Sequence, residues 1–134
     1  MYRFLMALGL LIGLSGCAEP PYNNLDNAGL QKLLEQGVPI FDIRRAEEWR
    51  QTGVIAGSEK LTFVDAAGRL QPDFLPKFTA QINPQDPVIL ICRTGNRTAS
   101  LARLLTDKLG YSKVYNVEDG ITHWIRSGGP VLRN

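Results

Sequence analysis

The stretch that decides the fold is VILICRTGNRTASLARLL, residues 88–105. Its first four residues form a continuous apolar run, which is typical of a strand in the middle of a parallel sheet covered on both faces. From about Thr98 to Leu109 the leucines follow helical spacing, and Gly110 is placed to end that helix. We therefore predict a buried strand ending at Cys92, a loop of five residues, and a helix.

The segments on either side of this unit alternate in the same way from about Leu25 onward. Their patterns predict further helices at 26–36, 46–51, 120–126 and within 72–82, where Pro76 keeps the helix short, and further strands at 38–42, 61–64 and 114–115. In the last helix Ile121, Trp124 and Ile125 are expected to face inward and His123 to face solvent. The alternation predicts a single α/β domain with a central, mostly parallel sheet and helices on both faces.

Composition limits the classes of partner and cofactor. The chain has 134 residues, 44% of them apolar, which suits one globular domain. Its formal charge is +2, without clustered Lys or Arg, so we expect no nucleic-acid partner. The sequence contains neither the phosphate-binding motif G-x-x-x-x-G-K nor the dinucleotide motif G-x-G-x-x-G, so we expect no cofactor. With one histidine and one free cysteine, we also expect no metal site.

The N-terminus has the features of a targeting signal. Residues 4–14 are apolar apart from glycines, a run too short to span a bilayer but suited to a signal peptide. The following Leu-Ser-Gly-Cys, residues 14–17, resembles the lipobox of bacterial lipoproteins. That resemblance implies cleavage before Cys17 and a diacylglycerol on its thiol, whereas an ordinary signal peptide or a buried N-terminal helix are the alternatives.

On this basis we predict a lipoprotein signal peptide at 1–16, a lipidated tether at 17–24 and a folded domain at 25–134. The protein would be anchored by lipid in the bacterial cell envelope and face the periplasm. Ala18 and Glu19 after the lipidated cysteine favour the outer over the inner membrane of a Gram-negative cell, by analogy.

Cys92 is the candidate reactive residue. If Cys17 carries lipid, Cys92 has no disulfide partner in the chain, and a lone thiol in an oxidising compartment needs a reason. It lies at the carboxyl end of a predicted strand, where α/β sheets bind ligands. The helix start and the charges of Arg93 and Arg97 favour its thiolate. Gly95 permits a tight turn of the loop around an anion. The alternative is a buried structural cysteine.

The loop after Cys92 resembles the active-site loop of the rhodanese family of sulfurtransferases. Other pieces agree in order: DIR at 42–44 resembles the family's D-x-R, Glu48-Trp49 its E-[YFW], GVIAGS at 53–58 its G-H-I-x-G-A, and VEDGITHWIRSGGPV at 117–131 its closing G-G-x-x-x-W-x-x-x-G-x-P-V. Two positions depart from the pattern. Val54 stands in place of the family's usual His, and Asp119 in place of a frequent Gly.

The resemblance implies a single-domain thiosulfate sulfurtransferase. The Cys92 thiolate would attack the outer sulfur of a small anionic donor such as thiosulfate, sulfite would leave, and the persulfide would pass its sulfur to a thiol or cyanide. Thr98 would assist through its hydroxyl as a helix N-cap. The expected substrate-binding residues are those of the loop, Arg93, Thr94, Gly95, Asn96 and Arg97.

Three questions stay open at the level of sequence. A cysteine phosphatase or arsenate reductase uses C-x5-R, whereas here the spacing from Cys92 to Arg97 is C-x4-R. A non-catalytic rhodanese-like module that binds partners is the second alternative. Asp42 and Arg44 either line the site, since they follow a strand end, or form a structural ion pair.

Overall fold

The computed structural model describes residues 19–133. The predicted signal peptide and Cys17 lie outside the described residues. Within them, five strands form one sheet in the order β1-β5-β4-β2-β3, and every neighbouring pair is parallel. The α/β class and the parallel sheet predicted from the sequence are confirmed.

Strands and helices alternate along the whole domain. Their bounds are β1 Asn23–Leu25, α1 Asn27–Glu35, β2 Ile40–Asp42, α2 Ala46–Thr52, β3 Glu59–Lys60, α3 Phe74–Gln81, β4 Val88–Ile91, α4 Asn96–Leu109, β5 Val114–Val117 and α5 Gly120–Arg126.

The predicted helix ends follow from local chemistry. Asp26 caps α1 by accepting the Gly29 N–H at 2.7 Å. Gly110 ends α4 in the left-handed conformation.

The sheet separates two hydrophobic cores. Strand β4 is buried at every position and sends alternate side chains to opposite faces, as strands do. Val88 and Leu90 pack with α3 and α4, in a core that includes the paired rings of Phe41 and Phe78. On the other face, Ile89 and Ile91 join the core under α1 and α5. Helices therefore cover both faces, as the apolar run of β4 predicts.

Four details differ from the sequence-based expectations. Strand β1 was predicted as part of the tether, but Asn23 and Asn24 pair with β5 because an edge strand needs only one row of hydrogen bonds. A strand predicted near 61–64 is instead the short β3, two residues earlier. Leu109 and Ile125, expected on inward-facing stripes, are exposed because each lies near the end of its helix.

The fourth difference concerns the start of α4, which is Asn96 rather than Thr98. Within the part of the chain that the structure describes, no helix is both long and apolar enough to cross a bilayer.

Candidate active site

Cys92 directly follows β4, at the carboxyl edge of the sheet. Its side chain is buried, with 1% of the residue exposed. The sulfur accepts the backbone N–H of Gly95 at 3.2 Å and lies 3.3 Å from the hydroxyl oxygen of Thr98. The chain after Cys92 therefore curls around the sulfur instead of leading away from it.

This loop is shorter than predicted. Only Arg93, Thr94 and Gly95 separate Cys92 from α4, because Gly95 adopts φ +93° and turns the chain directly into the helix. Asn96, Arg97 and Thr98 form the first turn of α4, so their backbone N–H groups belong to the set that a helix leaves without intrahelical partners. Thr98 is consequently not the N-cap, which is Gly95, and its hydroxyl is turned toward Cys92.

The turn between β5 and α5 locks this loop in place. The Ile121 N–H donates to the Cys92 carbonyl at 2.9 Å, and the Thr122 N–H donates to the Arg93 carbonyl at 3.2 Å. The approach is close enough that a Cβ on Gly120 would collide with the Arg93 carbonyl. Two segments that are distant in sequence thus fix the backbone on which the sulfur is carried.

A buried polar chain lies behind the sulfur. The Thr98 hydroxyl donates to the Asn116 side-chain oxygen and lies 3.2 Å from the Gly95 carbonyl. The Asn116 amide in turn donates to Asn24 on β1 at 3.1 Å. Sequence reasoning missed Asn116, although a buried polar residue within the apolar strand VYNV is a signal that could have indicated it.

Asp42 and Arg44 form a buried ion pair, with both side chains fully enclosed and 2.9 Å between the charged atoms. Arg44 also donates to the Thr52 hydroxyl and the Gly53 carbonyl, and the Trp49 indole donates to Asp42. The pair therefore joins β2 to α2. These contacts are those of a structural ion pair. Arg44 also lines a cavity that it shares with Arg93 and Arg97, so a role of the pair in lining the site stays a prediction.

Arg97 is bound to an acidic residue of α2. Its two terminal nitrogens donate to the two carboxylate oxygens of Glu48 at 2.7 and 2.8 Å, and the side chains are 22% and 11% exposed. Burial raises the pKa of Glu48, but hydrogen bonds from Arg97 and from the Arg45 N–H outweigh it and hold this pKa at about 2. The same carboxylate raises the pKa of Arg97.

Both members of this pair are therefore charged at neutral pH. Glu48 was noticed in the sequence only as part of a motif. No local pattern could have shown that it meets a residue 49 positions away.

Arg93 and Thr94 are exposed at the mouth of the loop. Arg93 lines a cavity of about 370 Å³ together with Arg97, with Arg44 and Arg45 just before α2, and with residues of α2. Across residues 19–133, no carboxylate forms an ion pair with Arg93. Arg93 is thus the one loop cation without a counter-charge in this part of the chain.

A larger cavity of about 700 Å³ lies elsewhere, between α1, Trp124 and the C-terminal residues. None of its lining residues belongs to the loop after Cys92, so its size says nothing about the chemistry of the sulfur.

Metal ligands are not grouped in the described residues. Among residues 19–133 there is no cluster of three or more His, Cys, Asp or Glu side chains that could hold an ion. The only histidine of the sequence, His123, is exposed on α5, as predicted.

The two departures from the family pattern lie away from the sulfur contacts. Val54 is buried and pairs with Leu132, exchanging backbone hydrogen bonds of 2.9 and 2.7 Å. Asp119 occupies the N-cap position of α5, and the glycine that follows it takes the positive φ of +67°.

Comparisons with known proteins show relatives with similar sequence and the same fold. Thiosulfate sulfurtransferase GlpE of Tolumonas auensis is 41% identical over 61 residues, which span 46% of this chain and 57% of that protein. A rhodanese-related protein of Thermoplasma volcanium has a similar structure, with TM-score 0.64 and 26% identity over 84% of this chain and all of that chain.

A Rhodopseudomonas palustris protein of unknown function, described as a possible tyrosine phosphatase, is also similar, with TM-score 0.63 and 27% identity over 83% of this chain and 85% of that chain. The model of the rhodanese-like domain matches residues 26–127. The chain therefore belongs to the rhodanese-like domain family.

Proposed function

We propose that this domain is a sulfurtransferase that carries a sulfane sulfur on Cys92. One observation carries the proposal above the others: the Gly95 N–H is directed at the Cys92 sulfur. A loop that presents backbone N–H groups to a sulfur atom stabilises a negative charge there, and both a thiolate and a persulfide carry that charge.

The proposed first half-reaction transfers one sulfur atom from the donor. The Cys92 thiolate attacks the outer sulfur of thiosulfate, the S–S bond of the donor breaks, and its electron pair leaves with sulfite. Cys92 then holds a persulfide anion. In the second half-reaction a thiolate or cyanide attacks the outer sulfur, and the Cys92 thiolate is restored.

The Thr98 hydroxyl can form a hydrogen bond with Cys92 both when the sulfur is a thiol and when it is a thiolate. In the structure this hydroxyl donates a hydrogen bond to Asn116, so its oxygen can accept a hydrogen bond from the Cys92 thiol. When the sulfur is ionised, rotation of the hydroxyl directs its proton to the sulfur instead. Asn116 would hold Thr98 in the position from which both arrangements can be reached.

Intact mass of the purified domain before and after exposure to thiosulfate tests the proposal. The parent should gain the mass of one sulfur atom, lose it again on addition of cyanide or a thiol, and turn over repeatedly. Cys92→Ser should do none of these while keeping its fold. A parent that gains no sulfur would support the alternative, a rhodanese-like module that binds partners without catalysis.

We also propose that the protein is a lipoprotein of the bacterial cell envelope, anchored at Cys17. The support is the sequence alone: an apolar run at 4–14, small residues before Cys17, and a second cysteine that the domain uses for another purpose. An anchored enzyme of this kind would meet its sulfur donor and its thiol or cyanide acceptor in the periplasm.

A further inference from the structure

Carboxylates and guanidinium groups both line the cavity that Arg93 and Arg97 share with α2. Arg45 pairs with Glu47 at 2.6 Å, and Arg97 pairs with Glu48 at 2.7 Å. Arg44 is paired with Asp42, so three of the four arginines that line the cavity are balanced, whereas Arg93 is not paired within the described chain. The opening attracts an anion, but with less charge than a count of its arginines indicates.

We propose that Glu48 is a specificity-determining residue: by neutralising Arg97, it weakens the preference of the site for a doubly charged sulfane-sulfur donor over a singly charged one. This inference rests on the proposed sulfur transfer. To that proposal the inference adds the property of the donor that the site distinguishes, its charge, and the residue that sets this preference.

The position of the Glu48 carboxylate is fixed from two sides. Arg97 binds both of its oxygens, and the Arg45 backbone N–H donates to one of them at 2.9 Å. The carboxylate is also mostly shielded from water, so its charge is weakly screened. The fixed charge of Glu48 therefore repels a dianion that enters beside Arg97 about twice as strongly as it repels a monoanion.

The contacts of Arg97 lead to the same conclusion. A guanidinium recognises an oxyanion best through two parallel N–H bonds. Both terminal nitrogens of Arg97 are already used in this way by Glu48. The doubly charged end of a donor would have to compete with a preformed, partly buried carboxylate for the same two nitrogens.

Glu47 provides a matched comparison on the same helix. It is adjacent in sequence, carries the same charge and pairs with an arginine of the same opening, but its side chain is 50% exposed. Water and salt screen its field. Removing the Glu47 charge controls for the change in net charge and for the loss of one ion pair of α2.

The experiment compares two donors that differ in charge but deliver the same sulfur. Thiosulfate is a dianion and methanethiosulfonate a monoanion; attack on the outer sulfur of either gives the Cys92 persulfide, with sulfite or methanesulfinate leaving. The measured quantity is the ratio of kcat/KM for thiosulfate to kcat/KM for methanethiosulfonate. Glu48→Gln should raise this ratio about fivefold, mainly through the KM of thiosulfate, as expected for one unit charge a few ångströms from the donor. Glu47→Gln should change the ratio by less than about twofold.

The outcomes separate this inference from the proposed function. If Glu48→Gln lowers kcat/KM equally for both donors, or leaves the ratio unchanged, Glu48 only supports the fold of the loop and the inference is wrong. If the parent forms no persulfide with either donor, the proposed function itself fails.

If Glu48→Gln does not fold, Arg97→Gln and the double variant Glu48→Gln with Arg97→Gln decide. These two proteins differ only in the charge of residue 48, so the ratio should be lower in Arg97→Gln, which keeps the Glu48 carboxylate, than in the double variant. Equal ratios in the two folded variants would overturn the inference.

Discussion

Replacing Gly120 with alanine should damage both stability and sulfur transfer, because Gly120 is where the β5–α5 turn meets the loop of Cys92. Gly120 has φ +67°, and an alanine there costs about 1 kcal/mol in backbone strain alone. A Cβ would also collide with the Arg93 carbonyl and lie 2.6 Å from the Thr94 nitrogen. Backbone atoms cannot rotate away as a side chain does, so the two segments must separate.

That separation removes two hydrogen bonds. The N–H groups of Ile121 and Thr122 donate to the carbonyls of Cys92 and Arg93 at 2.9 and 3.2 Å, and each such bond contributes about 1 kcal/mol. Together with the strain, we expect Gly120→Ala to lower the free energy of unfolding by about 3 kcal/mol. Persulfide formation should fall as well, because the loop that holds the sulfur loses its support.

Gly110→Ala is the matched control. Gly110 has nearly the same dihedral, φ +73°, but an added Cβ meets nothing within 4 Å. This variant therefore carries only the strain of about 1 kcal/mol and should keep full activity. Urea unfolding followed by circular dichroism gives both free energies. Equal losses in the two variants would refute the reasoning, because the close approach at Gly120 would then cost nothing.

Four further results are expected. Because Glu48 has a pKa of about 2 in the folded protein and an ordinary value of 4.5, its contribution to stability is present above about pH 4.5 and is lost as the pH falls toward 2. Between pH 5 and 3 the parent should therefore lose about 1–2 kcal/mol more stability in urea titrations than Glu48→Gln. Thr98→Val should slow persulfide formation about tenfold in single-turnover experiments, whereas Thr98→Ser, which keeps the hydroxyl, should not. Equal rates in Thr98→Val and the parent would show that the hydroxyl does not contribute to the reaction. Cys17→Ser should move the native protein out of the membrane fraction and abolish lipid labelling, and a parent without lipid would disprove the anchor. Hydrolysis of an aryl phosphate should stay negligible beside sulfur transfer to cyanide.

The sequence was sufficient for the architecture because local signals agreed. The continuous apolar run of β4, the leucine spacing of α4 and the glycine at its end each predict the same strand–loop–helix unit. The same consistency placed Cys92 at the carboxyl edge of the sheet. Strand β1 could not be predicted because its three residues, two of them asparagine, have no apolar pattern. It forms at the edge of the sheet because it pairs with β5.

The contacts of the candidate site were harder to predict because they join distant segments. Glu48 reaches Arg97, and Asn116 reaches Thr98, through the fold and not through any local periodicity. The start of α4 was misplaced for a different reason. Gly95 was expected to allow a tight turn, but only the structure shows that its left-handed conformation lets the helix begin at the next residue.

The short loop and the pairing of Arg97 with Glu48 also bear on the choice between sulfur and phosphate chemistry. A phosphate bound beside Cys92 would need a loop wide enough for a tetrahedral group and an arginine with both terminal nitrogens free. Here three residues lead into α4, the Gly95 N–H lies 3.2 Å from the sulfur itself, and Arg97 is occupied by Glu48. A persulfide adds one sulfur atom to the Cys92 thiolate and keeps its single negative charge, and it needs only nearby N–H groups. The described site therefore favours the smaller, less charged adduct, even though a structurally similar protein is described as a possible tyrosine phosphatase.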